Sequence, residues 1–540
     1  MKIRSVVLLT LSTALVVLGP ACRPAAPPEI SRPAAAIEPY IQIDLLRLEE
    51  AYRLIDRYGE TIWPGWKNDM EVEFQLQYPN LVFVTVGPRG GKVPEGYVEV
   101  PGRTVRRKKI YINRKDELPI KLEPPLIGGG KGGMVIRIML QQTGVTAKQV
   151  ADALAANAKN PQPAFQPQAS SDDQILLIVH EFFHGFQTKV MKKEADQGRK
   201  GRDFVIGADY AAYTNVEGLA LRDALAEKDD AKALALFKDY SVARGLKRAL
   251  MPPDSAAYQA RTTLSEGTAS YSDTKMAMLV GGKGYKPKMT AKVDPFFFDY
   301  KYAGGYVHEK TVQSIEYIKG STLDTLGLCY TYGLYQCLLL DRFFPGWKNG
   351  FFQSGRTLDD VTESRLGLSP EDKKAVAAGF EAKYKLTELR ATHAAVIKQR
   401  DETMAVVNNR QGRRYIIDFR KTKDFIIPQP RGRSVRLGVE VFYANGIEEF
   451  RLGDIVLTTA DTPLYQPKVE KNMYSLEWVD TEAKPGVKGY TFTFGKQEGD
   501  VYRNVEFKTA GFTLKAPEVQ IVEDPQKDEV TVVIVRKVAM

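Results

Sequence analysis

The chain has little histidine and almost no cysteine: four of one and three of the other in 540 residues. Three cysteines exclude a disulfide-framed scaffold and a cysteine-rich metal ribbon. Four histidines make any close pair informative. An excess of one charge is also missing. Lys and Arg outnumber Asp and Glu by 76 to 66, a net +10, which for this length gives no reason to expect a nucleic-acid partner. No repeat with a period of about 20–50 residues runs along the chain, which excludes a solenoid. No apolar run reaches the ~18 residues of a membrane-spanning helix. What is present, 44% hydrophobic and 26% charged residues with a mean hydropathy of −0.29, describes a folded globular protein.

The one conspicuous apolar run is N-terminal. Lys2 and Arg4 precede Ser5 to Leu18, and Gly19-Pro20-Ala21-Cys22 follows. A short basic region and an apolar stretch of this length suit a signal peptide. Small residues before a cysteine resemble the lipobox of bacterial lipoproteins, which implies lipidation of Cys22. Residues 1–21 are thus expected to be a signal peptide and 22–38, with Pro24, Pro27, Pro28 and Pro33, a semi-rigid tether. The protein is then exported and held on a membrane by a lipid anchor, in the periplasm or at the cell surface. Cys329 and Cys337 lie eight residues apart in one expected helix, ~12 Å along its axis. That exceeds disulfide reach and predicts two free thiols.

Texture divides the rest into three. Residues 39–165 open with a helical pattern over Ile41 to Tyr58 and continue with period-two runs at 71–76, 81–86, 97–100 and 109–113, an α+β lobe. Gly128 to Gly133 reads as a turn, since Lys131 is followed by Gly132 and no Ser or Thr completes a phosphate loop. The strand after it, Met134 to Leu140, is expected at a sheet edge where an extended peptide lies. Arg103 to Lys115 is the densest basic run, either a solvated strand edge or a contact with the lipid surface. Residues 166–408 form a helical lobe with expected helices at 172–190, 208–227, 230–248, 255–275, 323–343, 371–380 and 384–405. Residues 409–540 alternate in short runs and read as a β-sandwich-like domain. The fold class is α+β. Pro64-Gly65-Trp66-Lys67-Asn68 recurs as Pro345-Gly346-Trp347-Lys348-Asn349, two Pro-Gly turns anchored by a buried Trp.

The chemistry is concentrated in Ser171-Asp-Asp-Gln-Ile-Leu-Leu-Ile-Val-His180-Glu181-Phe182-Phe183-His184. Ser171 or Asp172 suits the helix cap. His180 and His184, at i and i+4, project from one face about one turn apart. Two imidazoles so placed can hold one Zn²⁺, and Glu181 beside the first can act as general base, the H-E-x-x-H arrangement of zinc metalloproteases. Zinc wants a third protein ligand and an open position. Two downstream segments share Glu-Gly-x-Ala: Glu217-Gly218-Leu219-Ala220 and Glu266-Gly267-Thr268-Ala269. Either carboxylate qualifies on residue type alone.

Here the chain resembles the gluzincin metallopeptidases. His180-Glu-Phe-Phe-His184 followed by Ser265-Glu-Gly-Thr-Ala-Ser-Tyr271 is similar to the glycyl aminopeptidase family, and the Glu-Gly-x-Ala element to the aminopeptidase N family. The resemblance spans roughly residues 172–340. It implies a gluzincin-like catalytic core with a β-rich lobe and a helical lobe. It also implies Glu266 as the third ligand of one Zn²⁺ per chain, with Glu217 in a structural or supporting role. Tyr330-Thr331-Tyr332-Gly333 resembles the aminopeptidase N Tyr-x-Lys-Gly element and implies Tyr330 as oxyanion donor, although Tyr332 stands where that family has Lys. Tyr332, Tyr271 and His308 are the alternatives for that role. Two departures stand out. The 81 residues between His184 and Glu266 imply an inserted helical pair around 208–248. Gly132-Gly133-Met134-Val135-Ile136 lacks the Glu with which the aminopeptidase N family binds a substrate amine.

The reading is an exported zinc metallopeptidase acting on a peptide or protein substrate. His180, His184 and Glu266 hold the metal, Glu181 is the base and Tyr330 supports the oxyanion. The rival is a binding or scaffolding lipoprotein with a structural zinc site, closed by a fourth protein ligand, for example by both Glu217 and Glu266.

Overall fold

The computed structural model describes residues 39–68, 72–114, 127–139, 170–191, 206–308, 325–408, 412–419, 434–443, 450–466 and 475–535, with interruptions of a few residues. The expected signal peptide, the tether and Cys22 lie outside the described residues. Among the described residues, no helix is long and apolar enough to cross a membrane.

Helix α1 (Pro39–Ile62) is longer than its sequence pattern suggested. Its buried stripe is Leu45, Leu48, Tyr52, Ile55 and Ile62. A six-stranded sheet follows, made of β1 (Val72–Gln77), β2 (Val82–Val86), β3 (Val98–Val105), β4 (Lys108–Arg114), β5 (Ile127–Gly130) and β6 (Gly133–Met139), in the order β3-β4-β2-β1-β6-β5. Only the β1–β6 pair is parallel. The strand expected at the edge is therefore interior. β6 pairs with β1 on one side and with β5 on the other. The glycine run supplies strand β5, which takes the edge position among the described residues. At the opposite edge, β3 and β4 are joined through Arg106 and Arg107, both at positive φ (52° and 66°). Arg106 pairs with Asp56 and lies over the Tyr52 ring, which docks this turn on α1.

The helical region comprises α2 (Ser171–Val190), α3 (Ala208–Ala226), α4 (Asp230–Ala249), α5 (Pro253–Val280), α6 (Ala303–His308), α7 (Thr325–Phe343), α8 (Leu358–Leu366), α9 (Pro370–Ala378), α10 (Phe380–Tyr384) and α11 (Leu386–Asn408). Two helices, α3 and α4, form where the sequence predicted a helical pair around 208–248. Helix α8 was not anticipated, although its capping box, Thr357 with Asp360, is written in the sequence. One continuous core runs from Ile41 through α2, α5 and α7 to Leu386. The expected first and second lobes therefore share one core. Cys329 and Cys337 are buried thiols outside any disulfide.

The two Pro-Gly-Trp-Lys-Asn copies converge. Gly65 and Gly346 take the positive φ their turns require (83° and 81°). Trp66 packs on Phe183 at 4.9 Å, and Trp63, just before the first copy, packs on both Phe183 and Trp347 at 5.3 Å. Lys348 donates to the Ile62 carbonyl at 2.9 Å and to the Tyr271 hydroxyl at 2.7 Å. Both turns thus support the back of α2, where each buried Phe contributes ~2 kcal/mol.

The C-terminal strands have a core of their own, from Tyr415 to Ile534. They differ from a sandwich of two separate sheets: twelve strands form one hydrogen-bonded network. The reason is one 13-residue strand, Phe512–Asp524. Its first part pairs with Ile455–Thr459 and its last part with Glu529–Ile534, so it carries the sheet across the place where two sheets would separate.

Candidate metal centre

Helix α2 is capped by Ser170, whose side chain accepts from the Asp173 amide at 3.1 Å. The helix thus starts one residue earlier than Ser171 or Asp172 as cap would require. Asp172 instead accepts from the amides of Phe298 and Tyr300 at 2.8 and 2.6 Å, and Ser171 accepts from Arg47. The metal helix is fixed at its origin as well as at its back.

Its functional face carries His180 and His184, 5% and 7% exposed. Their Nε2 atoms are 3.2 Å apart. Glu266 of α5 brings Oε2 to 3.6 Å from the first and 3.3 Å from the second. Three ligand atoms on a tetrahedral zinc, at bonds of ~2.05 Å, would be spaced by about 3.3 Å. The triangle has that size, and two neutral imidazoles with one carboxylate are a donor set zinc accepts. Among the described residues, these three form the one such group of potential metal ligands.

Each imidazole is oriented from behind. His180 Nδ1 is 2.8 Å from Asp273 Oδ2, and His184 Nδ1 is 2.7 Å from Gln187 Oε1. Gln187 in turn donates to the Ser265 carbonyl and to Thr268 at 2.8 and 2.6 Å, which ties α2 to the turn of α5 that carries Glu266. With Nδ1 bound, Nε2 of each ring is left facing the shared point. Asp273 and Gln187 were missed in the sequence. Their signal was spacing: Asp273 lies two turns beyond Glu266, and Gln187 lies at i+3 from His184.

Electrostatics favour a cation here. Burial alone would lower the His180 pKa, but hydrogen bonds to Asp273 and Glu266 outweigh it and push the imidazole up to about 9. Burial works to raise Glu266, yet its contacts with both histidines hold it well below the usual carboxylate range. Burial raises Glu181, against the pull of the two histidines. A carboxylate of raised proton affinity beside this buried triangle can take up and release a proton.

Tyr330 reaches the triangle from α7. Its ring lies parallel to that of His180, centroids 6.2 Å apart, and burial, with Glu266 and Glu181 nearby, raises the pKa of its hydroxyl. A backbone contact makes this possible. A Cβ on Gly267 would lie 2.4 Å from the Gly333 Cα, and one on Gly333 would lie 2.5 Å from the Gly267 Cα. Two glycines thus let α5 and α7 touch main chain to main chain. The alternative tyrosines are engaged elsewhere. Tyr271 bonds Asp341, and Tyr332 donates to the Thr214 carbonyl. His308 ends α6.

Glu217 does not join the histidines. It is fully buried and pairs with Lys247, with Arg244 at 3.8 Å from its other oxygen. Burial raises its pKa and lowers that of Lys247 to about 8, each partner opposing the other's shift.

No known protein family, no curated protein and no solved structure matches this chain.

Proposed function

We propose that this chain is an exported zinc-dependent peptidase with a gluzincin-like centre. The observation that carries the reading is the His180–His184–Glu266 triangle, with edges of 3.2, 3.3 and 3.6 Å, with Glu181 next to His180 on α2 and the Tyr330 ring parallel to that of His180. His180, His184 and Glu266 would hold the metal. Bound there, zinc would supply Lewis-acid polarisation of a carbonyl and acidify a water. Glu181 receives the proton from the attacking water and returns it to the departing amine. Its raised pKa suits both halves of that transfer. Tyr330, its ring parallel to that of His180, would donate its one hydroxyl proton to the oxygen that gains charge. Asp273 and Gln187 keep the two imidazoles turned to their task.

The site keeps an open side. The Glu266 side chain is 24% exposed, whereas Asp273 behind it is 1% exposed. A closed, structural site would need a fourth ligand, and Glu217, the candidate, is committed to Lys247. The substrate would lie extended against β5, whose Gly128, Gly129 and Gly130 leave the sheet edge free of side chains. Export and anchoring through Cys22 complete the reading. Mass spectrometry of the mature N-terminus should find a lipidated Cys22; an unmodified Cys22 would remove the anchor and leave the peptidase.

The test of the activity is a peptide library incubated with zinc-loaded protein and with chelator-treated protein. Cleavage should depend on the metal and return when zinc is restored. A zinc-loaded protein that cleaves no peptide would refute the reading.

A further inference from the structure

Tyr332 follows Tyr330 by two residues, about 200° around α7. The two side chains therefore point to opposite sides of the helix, Tyr330 to the His180 ring and Tyr332 to α3. The seat of Tyr332 is built in detail. Its hydroxyl donates to the Thr214 carbonyl at 2.7 Å. Gly218 leaves the space it occupies, since a Cβ there would lie 3.0 Å from the hydroxyl. The Lys247 ammonium lies 5.7 Å from the centre of its ring and pairs with Glu217, next to Gly218. Tyr332, Glu217 and Lys247 are each at most 1% exposed.

This seat is tied back to the metal helix pair. Arg244, one turn before Lys247 on α4, donates to Gln259 and Thr263 of α5, each at 3.2 Å, and to Asp359 of α8 at 3.1 Å. Thr263 lies one turn before Glu266 and faces Gly333: a Cβ on Gly333 would lie 2.6 Å from its carbonyl oxygen. The contacts close a ring, from α7 to α3 through Tyr332, to α4 through Glu217 and Lys247, to α5 through Arg244, and back to α7 through Gly267 and Gly333. The glycine contact sets how close α7 comes to α5. It does not key rotation about the α7 axis; side chains do, Gln336 on Asp359 and Thr362 and Arg342 on Asp230 farther along the helix, and Tyr332 on Thr214 beside Tyr330. A rotation of ~10° would move a side-chain tip on this helix by about 1 Å, and misplacement by that distance costs catalysis ~10²-fold.

We propose that Tyr332, seated on Gly218 beside the Glu217–Lys247 pair, is a positioning residue that keys the rotation of α7 at this point and so places Tyr330 against the His180 ring. The second Glu-Gly-x-Ala segment is then part of the same centre without touching the metal. This rests on the peptidase reading for its kinetic consequence, and on geometry alone for the placement of Tyr330.

The experiment uses zinc-loaded protein labelled with ¹³Cζ-tyrosine, with the Tyr330 resonance identified by its loss in Tyr330→Phe. Tyr332→Phe removes the bond to Thr214, and Gly218→Ala presses on the Tyr332 ring. Both should shift the Tyr330 resonance while one zinc per chain is retained. Both should also lower kcat by about 10-fold with KM changed by less than about twofold. The double variant Tyr330→Phe/Tyr332→Phe should be no slower than Tyr330→Phe alone, because Tyr332 acts only through the hydroxyl already removed. An unmoved Tyr330 resonance in both single variants would overturn the proposal, as would losses that multiply in the double variant. If the wild-type chain cleaves no peptide, the peptidase reading fails, and the resonance still decides the positioning.

Discussion

Glu217-Gly-Leu-Ala and Glu266-Gly-Thr-Ala are nearly one sequence with two fates. In both, the glycine is where α7 comes close, Gly218 to the Tyr332 ring and Gly267 to the Gly333 main chain. The carboxylates diverge because of what faces them. Glu266 meets two imidazoles on α2 and keeps a partly exposed side chain. Glu217 meets Lys247 and Arg244 in the interior. A carboxylate opposite two imidazoles, which can give up a proton to admit a metal, is available to that metal; one opposite a buried ammonium is already paired. Four residues cannot specify which, because the deciding partners come from other helices.

The comparison breaks first on metal content. Glu266→Ala should lose zinc by far more than the ~10–100-fold expected for a residue behind the ligands, whereas folded Glu217→Ala should bind zinc as the wild type does. Chelator competition ranks them, and the reverse order would transfer the ligand role to Glu217. Stability should rank the other way. Glu217→Ala leaves Lys247 buried without its partner and should cost ~3–5 kcal/mol, read by urea unfolding, while replacing both Glu217 and Lys247 with methionine should cost far less. A loss for the pair as large as for the single change would remove the ion pair as the cause.

Tyr330→Phe comes next. A hydroxyl that acts on charge developing in the transition state should lower kcat by ~10²–10³-fold with KM nearly unchanged. An unchanged kcat would leave Tyr330 a packing residue on His180. The smallest effect belongs to Asp273→Asn, which weakens the orientation of His180 without removing a ligand. Zinc affinity should fall by ~10–100-fold, measured with a chromophoric chelator, and a wild-type affinity would show that α2 alone holds the ring.

Much of this was legible in the sequence. The metal helix was readable because histidine is scarce and the i, i+4 spacing is local. The helices of the middle region were readable from their periodicity, and the start of the C-terminal β region from its short alternating runs. Three things were not. The edge position of β5 depends on a parallel β1–β6 pairing between residues more than 60 apart in sequence, which no local pattern encodes. Asp273 is a carboxylate on a helix rich in small polar residues, and only the packing of α5 on α2 singles it out. Tyr332 reads as one more core aromatic until Thr214, Gly218 and Lys247 are seen around it. Helix α2 is also supported by two turns whose repeat was visible but whose meeting through Trp63, which packs on both Phe183 and Trp347, was not.

The central claim is that this triangle holds zinc and that Glu181 moves the proton. It is tested most directly by Glu181→Gln, with metal content and peptide cleavage measured on the same sample. Glutamine keeps the shape and cannot act as the base, and Glu181 is not a ligand. The account predicts about one zinc per chain, as in the wild type, and cleavage lost. Cleavage at the wild-type rate by the zinc-loaded variant would contradict it.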